Sequence, residues 1–244
     1  MIFGTMYCAG TTPALITARR ILSEKGIHFS DTPSWDTRHL LFDIPAFRPG
    51  VWKDDAFETL LASLPCNVTI WGGNLKHPAL EFYKTVDLLQ DETYLRSNAD
   101  ITASCTIPIA ESVLQIPWAK TNVLIIGWGR IGKSLSGMLR ALGCHITIST
   151  RSSHHKAEAA SSGFSVIDAP DDTQFFHLII NTAPALVLSV QDDTSPICID
   201  LASVRGIAGN NVIWARGLPG RFAPEQSGKL IADTILRLSG EVSS

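Results

Sequence analysis

Long apolar runs are missing from this sequence. The longest, such as Asn122-Val-Leu-Ile-Ile-Gly127, fall far short of the ~20 residues that a membrane span needs, so no membrane association is expected. A basic excess is missing too. Lys and Arg number 20 against 23 Asp and Glu, for a formal net charge of −3, and cations this scattered cannot neutralise a track of phosphates, which makes nucleic acid a poor partner. Cysteines are few and odd in number. Cys8, Cys66, Cys105, Cys144 and Cys198 lie far apart, with no Cys-x-x-Cys pair and no His-Glu-x-x-His run. That pattern speaks against a disulfide framework and a metal site, and for a reducing, cytoplasmic compartment. The opening Met1-Ile-Phe-Gly-Thr-Met6 carries no basic stretch, so no signal peptide is expected.

What is present is ample core material. Hydrophobic residues make up 45% and charged residues 18% of 244 positions, which excludes global disorder. At roughly 100–200 residues per domain, the length admits one large domain or two small ones. Short apolar runs alternate with helical periods, the signature of an α/β protein with parallel strands. In the first half, strands are expected at 2–8, 27–30, 39–43 and 67–71. Thr12 should cap a helix that starts at Pro13 and ends at Gly26, and Asp54 or Asp55 should cap a second helix reaching Leu64. Leu80, Tyr83, Val86 and Leu89 fall at helical spacing, which predicts a helix over 78–90. A strand near 101–104, a helix over 108–116 and a domain boundary at Pro117 follow.

The second half reads more sharply. Strands at 123–127, 146–150, 165–167, 178–181, 197–201 and 212–215 interleave with helices at 131–142 and 154–162, and a helix over 224–238 closes the chain. Six such strands fit a doubly wound nucleotide-binding fold. Residues 118–221 would form that Rossmann domain. Residues 1–117 with 222–244 would form an α/β substrate domain.

Five segments carry chemistry. Gly127-Trp128-Gly129-Arg130-Ile131-Gly132 follows a strand and opens a helix, the context a dinucleotide fingerprint requires. Gly127 permits the tight turn, Gly129 lets a pyrophosphate approach the backbone, and Gly132 lets the helix pack on the strand. The second strand then ends in Thr150-Arg151-Ser152-Ser153, without the acid that accepts a ribose 2′-hydroxyl. An arginine and hydroxyls suit a 2′-phosphate, so NADP is favoured and NAD is the alternative. His154 and His155 read as exposed helix-start residues. Asn181, Thr182 and Pro184 end the fourth strand, where this fold carries its ligand. Asp200 ends the fifth apolar run and must find donors, either on substrate or on a neighbouring loop. Arg205 follows it. Finally, Gly217-Leu218-Pro219-Gly220-Arg221-Phe222-Ala223-Pro224 specifies one rigid connection.

Together these segments resemble the dipicolinate synthase A-subunit family, over about residues 102–238. The resemblance is carried by Thr106-Ile-Pro-Ile-Ala-Glu111, the glycine motif with Arg130, Thr150-Arg-Ser-Ser153, Ile180-Asn-Thr-Ala-Pro-Ala185, Ile199-Asp-Leu-Ala-Ser203 and the 217–224 segment. It implies a Rossmann domain set beside a flavodoxin-like one, with a final helix returning to the first domain. It implies an NAD(P)-dependent oxidoreductase that forms dipicolinate, a spore acid, from a dihydro precursor. A homodimer is also implied, as is a second, flavoprotein-like subunit. The substrate would be a cyclic dicarboxylate dianion, so arginines are needed, and Arg205, Arg216 and Arg221 are best placed, with Pro219 and Gly220 beside them. Glu111 is the candidate acid/base or orienting group, or else a first-turn glutamate complementing its helix dipole. Asp200 and Arg205 complete the catalytic candidates. His39 and His77 are further candidate bases that also fit surface or capping roles.

Two departures stand out. Ala9-Gly10-Thr11-Thr12-Pro13 occupies the place of a family turn that carries Asp and Arg, and Arg205 stands where Pro or Gly is commoner. A different small-carboxylate dehydrogenase, or a module that senses NADP(H) without catalysis, are therefore the competing readings.

Overall fold

The structure, a computed structural model, describes residues 4–47, 52, 55–169, 172–190, 196–209 and 211–240. The chain divides into two compact units, one of residues 1–98 with 219–244 and one of residues 99–218. Both are built on parallel sheets with helices on their faces, the α/β class expected from sequence.

In the first unit, β1 (Thr5–Cys8) leads into α1 (Pro13–Glu24), where Thr12 accepts from the Leu15 amide and Pro13 opens the first turn. The cap supplies an acceptor that the helix start lacks, and proline costs nothing where no intrahelical N–H is needed. Gly26, at φ +87°, turns the chain into β2 (Phe29–Ser30). Then follow β3 (Thr37–Leu41), α2 (Ala56–Ala62), β4 (Thr69–Gly72) and β5 (Lys84–Asp87). Asp55 holds the N-cap position of α2 without a side-chain bond, and Asp54 lies outside the described residues. The sheet order β2-β1-β3-β4-β5, parallel throughout, is the flavodoxin-like order. Both faces are covered. Leu40 packs with Phe42, Phe57 and Ile70, whereas its neighbour Leu41 packs with Leu15, Leu22 and Ile235. Adjacent strand residues point to opposite faces, so a sheet buried on both sides reads as a continuous apolar run.

Two expectations fail after β4. The helix over 78–90 is instead two single-turn 3-10 segments, Pro78–Leu80 and Leu88–Gln90, flanking β5. The strand at 101–104 and the helix at 108–116 are one helix, α3 (Glu92–Val113), with Pro108 inside it. The contact division falls within α3, between Asn98 and Ala99, rather than at Pro117.

In the second unit, β6 (Asn122–Ile126), α4 (Arg130–Ala141), β7 (His145–Ser149), α5 (Ser153–Ser161) and β8 (Ser165–Ile167) come first. Then follow β9 (Leu178–Asn181), β10 (Leu188–Ser189), β11 (Ile197–Asp200), β12 (Ile207–Ala208) and β13 (Val212–Trp214). The six-stranded sheet runs β13-β11-β9-β6-β7-β8 and is parallel. Renumbered from β6, it is the doubly wound dinucleotide order. The small parallel pair β10–β12 has no counterpart in the sequence reading.

The 217–224 segment forms α6 (Leu218–Phe222) and enters α7 (Pro224–Leu238). The helix α7 belongs to the first unit and lies against α1. A side-chain carbon at Gly228 would sit 2.5 Å from the Ala14 carbonyl oxygen and from Thr17 Cβ, so glycine sets this close approach. Among the described residues, no helix is long and apolar enough to cross a membrane, and no group of three or more His, Cys, Asp or Glu could hold a metal ion.

Candidate functional site

Strand β6 is wholly apolar and buried beyond its first residue, and it delivers the glycine motif to the carboxyl edge of the sheet. Gly127 has φ +101°, and a Cβ there would meet Thr182 Oγ1 at 2.6 Å. At Gly132 a Cβ would strike the Gly127 carbonyl oxygen at 2.2 Å. Both positions are therefore closed to any side chain. Around Gly129 no heavy atom lies within 4 Å of the Cβ position. This residue is the N-cap of α4, and no side chain caps that helix. The space beside Gly129 is thus open at the positive end of a twelve-residue helix.

The turn is fixed from β9. Thr182 donates from its hydroxyl to the Ile126 carbonyl at 3.0 Å, and its backbone N–H donates to the same oxygen at 2.8 Å. Trp128, 4% exposed, is turned inward onto Phe164, with ring centroids 5.4 Å apart. Its contribution to a ligand is therefore its backbone, not its indole.

A groove of about 480 Å³ runs from this turn along the strand ends. Gly127, Gly129, Thr150, Arg151, Ser152, Thr182 and Pro184, named from sequence, all line it. Arg151 is exposed there. Ser152 Oγ accepts from the His155 amide at 3.3 Å and caps α5, so this hydroxyl is already engaged. Ser153 opens α5 and is exposed, while Arg130 and Ile131 open α4. The groove also contains residues that sequence reasoning missed: His155, Asp168, Ala169, Leu186 and Val187. Asp168 follows β8 immediately, and an acid at a strand end of this fold was a readable signal. Leu186 gives no such signal, because its place in the wall depends on how β10 pairs with β12.

Asn181 and Asp200 are both fully buried. Asp200 Oδ1 accepts from Asn181 Nδ2 at 2.9 Å and from the Ala202 amide at 3.1 Å. Its Oδ2 accepts from the Gly206 and Ile207 amides at 2.6 and 3.0 Å. Four donors meet this carboxylate, three of them backbone amides of the 202–207 loop, which it holds. Asn181 likewise holds Ala183, accepting from its amide and donating to its carbonyl, each at 3.0 Å. It supports the groove wall from beneath and does not line the groove.

The substrate candidates are more dispersed. Glu111 is exposed in the last turn of α3. The first-turn dipole role is therefore corrected: the helix begins at Glu92, and a carboxylate near the C-terminal end gains nothing from the dipole. Arg205 is exposed and donates to the Gly209 carbonyl at 3.1 Å. Arg216 is exposed after β13 in the second unit. Pro219, Gly220 and Arg221 lie on α6, assigned to the first unit, and the Arg221 guanidinium sits 5.3 Å from the Phe222 ring centre. His39 accepts from the Trp71 indole at 3.2 Å. His77 accepts from the Ala79 amide at 3.2 Å and stacks on Phe47. Each imidazole has a structural use.

No family model matches the chain. The A-subunit of dipicolinate synthase from Bacillus subtilis (strain 168) is 27% identical to it over 167 residues, a match spanning 59% of this chain and 56% of that protein. The crystal structure of the dipicolinate synthase A-subunit from Bacillus halodurans superposes with a TM-score of 0.80 at 21% identity, over 98% of both chains. A transhydrogenase from Sinorhizobium meliloti gives 0.64 at 12% identity, over 97% of this chain and 94% of its own. By sequence and by fold the chain is related to the dipicolinate synthase A-subunit, the family its motifs resemble.

Proposed function

We propose that the chain is a nicotinamide-nucleotide-dependent oxidoreductase that binds NADP, or NAD, in the groove of its second unit. We propose further that it moves hydride between the nicotinamide and a small cyclic dicarboxylate of the dihydrodipicolinate kind. The observation that carries this reading is the uncapped start of α4 opening on the free space at Gly129. Helix-end amides without a side-chain acceptor are a ready site for a diphosphate. The groove and the collisions that reserve Gly127 and Gly132 for glycine fit the same group. When bound, the nicotinamide supplies the hydride acceptor or donor.

In this reading the chain's own residues bind and orient. The amides of 129–131 hold the diphosphate. Thr182 fixes the turn, and Pro184 lines the wall beside it. Arg151, with Thr150 and Ser153, meets a 2′-phosphate, while Ser152 holds α5 in place. Arg205, Arg216 and Arg221 are the cations for a dicarboxylate, and Glu111 is the acid/base candidate. The related protein is named as one subunit of a synthase, which supports a second subunit; its flavoprotein-like character is part of the proposal. A homodimer and a role in sporulation belong to the same proposal.

Titration of the purified protein with NADP and NAD tests the first step. Replacing an arginine that makes a charge-assisted contact costs about 1.5–3 kcal/mol, or about tenfold to a hundredfold in affinity. Arg151→Ala is therefore expected to weaken NADP by at least about tenfold and to leave NAD nearly unchanged. Equal losses for both nucleotides refute the 2′-phosphate role. Dihydrodipicolinate is then screened, with and without a flavoprotein partner, for a change in nicotinamide absorbance. Binding without turnover under every condition would identify a sensing module.

A further inference from the structure

The second unit carries another cavity, at the opposite edge of its sheet. Asn122, His145 and Ser165, the first residues of β6, β7 and β8, all line a space of about 560 Å³, a size that suits a small molecule. The dinucleotide groove lies at the carboxyl ends of the same strands. The five residues of β6 span about 16 Å at ~3.3 Å per residue, so the two places are separate.

The cavity sets an arginine beside two phenylalanine rings. Arg140, in the last turn of α4, is exposed, and its guanidinium carbon lies 4.4 Å from the centre of the Phe164 ring. One of its nitrogens donates to the Ser162 carbonyl at 2.8 Å. The ring and this bond hold the group in place, and a guanidinium has more N–H donors than one such contact uses. Phe175 is 67% exposed, while Asn122 Nδ2 anchors its backbone by donating to its carbonyl at 3.3 Å. A ring left open to water in a cavity has a face to offer a planar ligand. Among the described residues, no Asp or Glu lines this space, although the chain as a whole has a formal charge of −3. Helices α4 and α5 both end here, and helix carboxyl ends repel an anion. Arg140 is therefore the group on which anion binding at this edge depends.

We propose that this cavity binds a small planar carboxylate, with Arg140 pairing the carboxylate and Phe175 stacking on the ring, and that its occupancy is felt at the glycine turn. The link is Phe164. It lies under the Arg140 guanidinium and also packs on the buried indole of Trp128, with ring centroids 5.4 Å apart, and Trp128 is part of the glycine turn. A ligand that orders Phe164 lowers the cost of ordering the turn, so the two ligands favour each other. The coupling rests on the dinucleotide reading above, and the carboxylate site does not.

Benzoate is the probe, titrated into the full chain by calorimetry. A Kd of about 1 mM or tighter is expected. Inorganic phosphate has charge without a ring and benzyl alcohol a ring without charge, so each should bind at least about tenfold more weakly. Arg140→Gln should weaken benzoate by at least about tenfold, and Phe175→Ser by about threefold or more. Both side chains are exposed, so both variants are expected to fold, and circular dichroism checks this. Saturating benzoate should tighten NADP binding by about fivefold, the lower end of allosteric coupling. Absence of benzoate binding, binding that survives in Arg140→Gln, or phosphate bound as tightly as benzoate overturns the site. Benzoate bound with NADP affinity unchanged or weakened overturns the coupling. Benzoate bound by a chain that takes up neither NADP nor NAD overturns the dinucleotide reading and supports the carboxylate site alone.

Discussion

Asp200→Asn is the substitution that most directly separates a structural carboxylate from a catalytic one. The side chain is fully buried and receives four donors, two on each oxygen. Asparagine keeps the shape but retains only one oxygen. If that oxygen faces the Gly206 and Ile207 amides, the new NH2 group points at two donors, Asn181 Nδ2 and the Ala202 amide. Asn181 cannot turn over to help, because its own oxygen and nitrogen already hold Ala183. Two buried donors therefore lose their acceptor, at about 1–3 kcal/mol each, so the variant is expected to lose about 3 kcal/mol. With a urea dependence of about 1–3 kcal/mol per molar, the unfolding midpoint of the second unit should fall by about 1–3 M.

The effect has a definite route into the nucleotide groove. The Gly206 carbonyl accepts from the Val187 amide at 2.8 Å, and β12, which begins at Ile207, pairs with β10. Loosening 206–207 thus loosens the wall that contains Leu186 and Val187. Hydrogen exchange followed by mass spectrometry should show faster exchange over 202–207, together with weaker dinucleotide binding. A proton-transfer role predicts the opposite pattern. Turnover would fall by about 10²–10⁴, with the urea midpoint, exchange and affinity unchanged, and that result would refute the loop-holding assignment.

Further expectations rest on other atoms. Gly132→Ala places a carbon 2.2 Å from the Gly127 carbonyl oxygen, so α4 must move off β6, and nucleotide affinity by calorimetry should fall by at least about tenfold. An alanine variant of normal affinity would show that the turn does not hold the ligand. Burial pushes the thiols of Cys8 and Cys198 up to about 11, with the nearby Asp200 charge adding to the rise at Cys198. The folded chain keeps these protons where an ordinary thiol, near 9.0, gives them up. Their contribution to stability is thus complete below pH 9 and is lost as pH rises towards 11. Urea midpoints measured from pH 8 to 10.5 should decline, and less steeply in Cys8→Ala. An identical slope in that variant refutes the linkage.

Legibility followed how locally each feature was determined. The six strands of the large sheet in the second unit could be read to within a residue, because they are short and mostly apolar, and four of them stop at Gly127, Asp168, Asn181 or Asp200. The glycine motif could be read because its demands are on the backbone, and the side-chain collisions at Gly127 and Gly132 are those demands made visible. Residues 78–90 could not be read. Leu80, Tyr83, Val86 and Leu89 share a helical period, but Lys84–Asp87 pairs with Thr69–Gly72 as an edge strand, and the partner is set by tertiary structure. In α3, the β-branched Ile101 and Thr102 and the later Pro108 suggested a strand and a break. The helix nonetheless runs through all three, since packing overrides propensity and even an interior proline costs only about 3 kcal/mol. The groove's outer end was invisible for a similar reason: Asp168 joins Arg151 in one groove only through the pairing of β7 with β8.

One device recurs along the carboxyl edges of both sheets, and it bears on the substrate. Asp200 holds the loop beside β11. Asp87, ending β5, accepts from the amides of Asn74, Leu75 and Leu89. Asp43, just after β3 and 4% exposed, accepts from the Thr11 and Thr12 amides at 3.4 and 3.3 Å and from the Thr12 hydroxyl at 2.6 Å. That hydroxyl in turn accepts from the Leu15 amide, and a Cβ at Gly10 would lie 2.6 Å from Asp43 Oδ1. The turn after β1, which lacks the charges seen in the family it resembles, is thus closed onto an internal carboxylate. Its amides are already taken by an anion of the chain itself, and a dianionic substrate would be repelled there. If a dicarboxylate is the substrate, its charge must be met by arginines outside this turn. Exposed Arg205, Arg216 and Arg221 are therefore the side chains on which the substrate reading stands or falls.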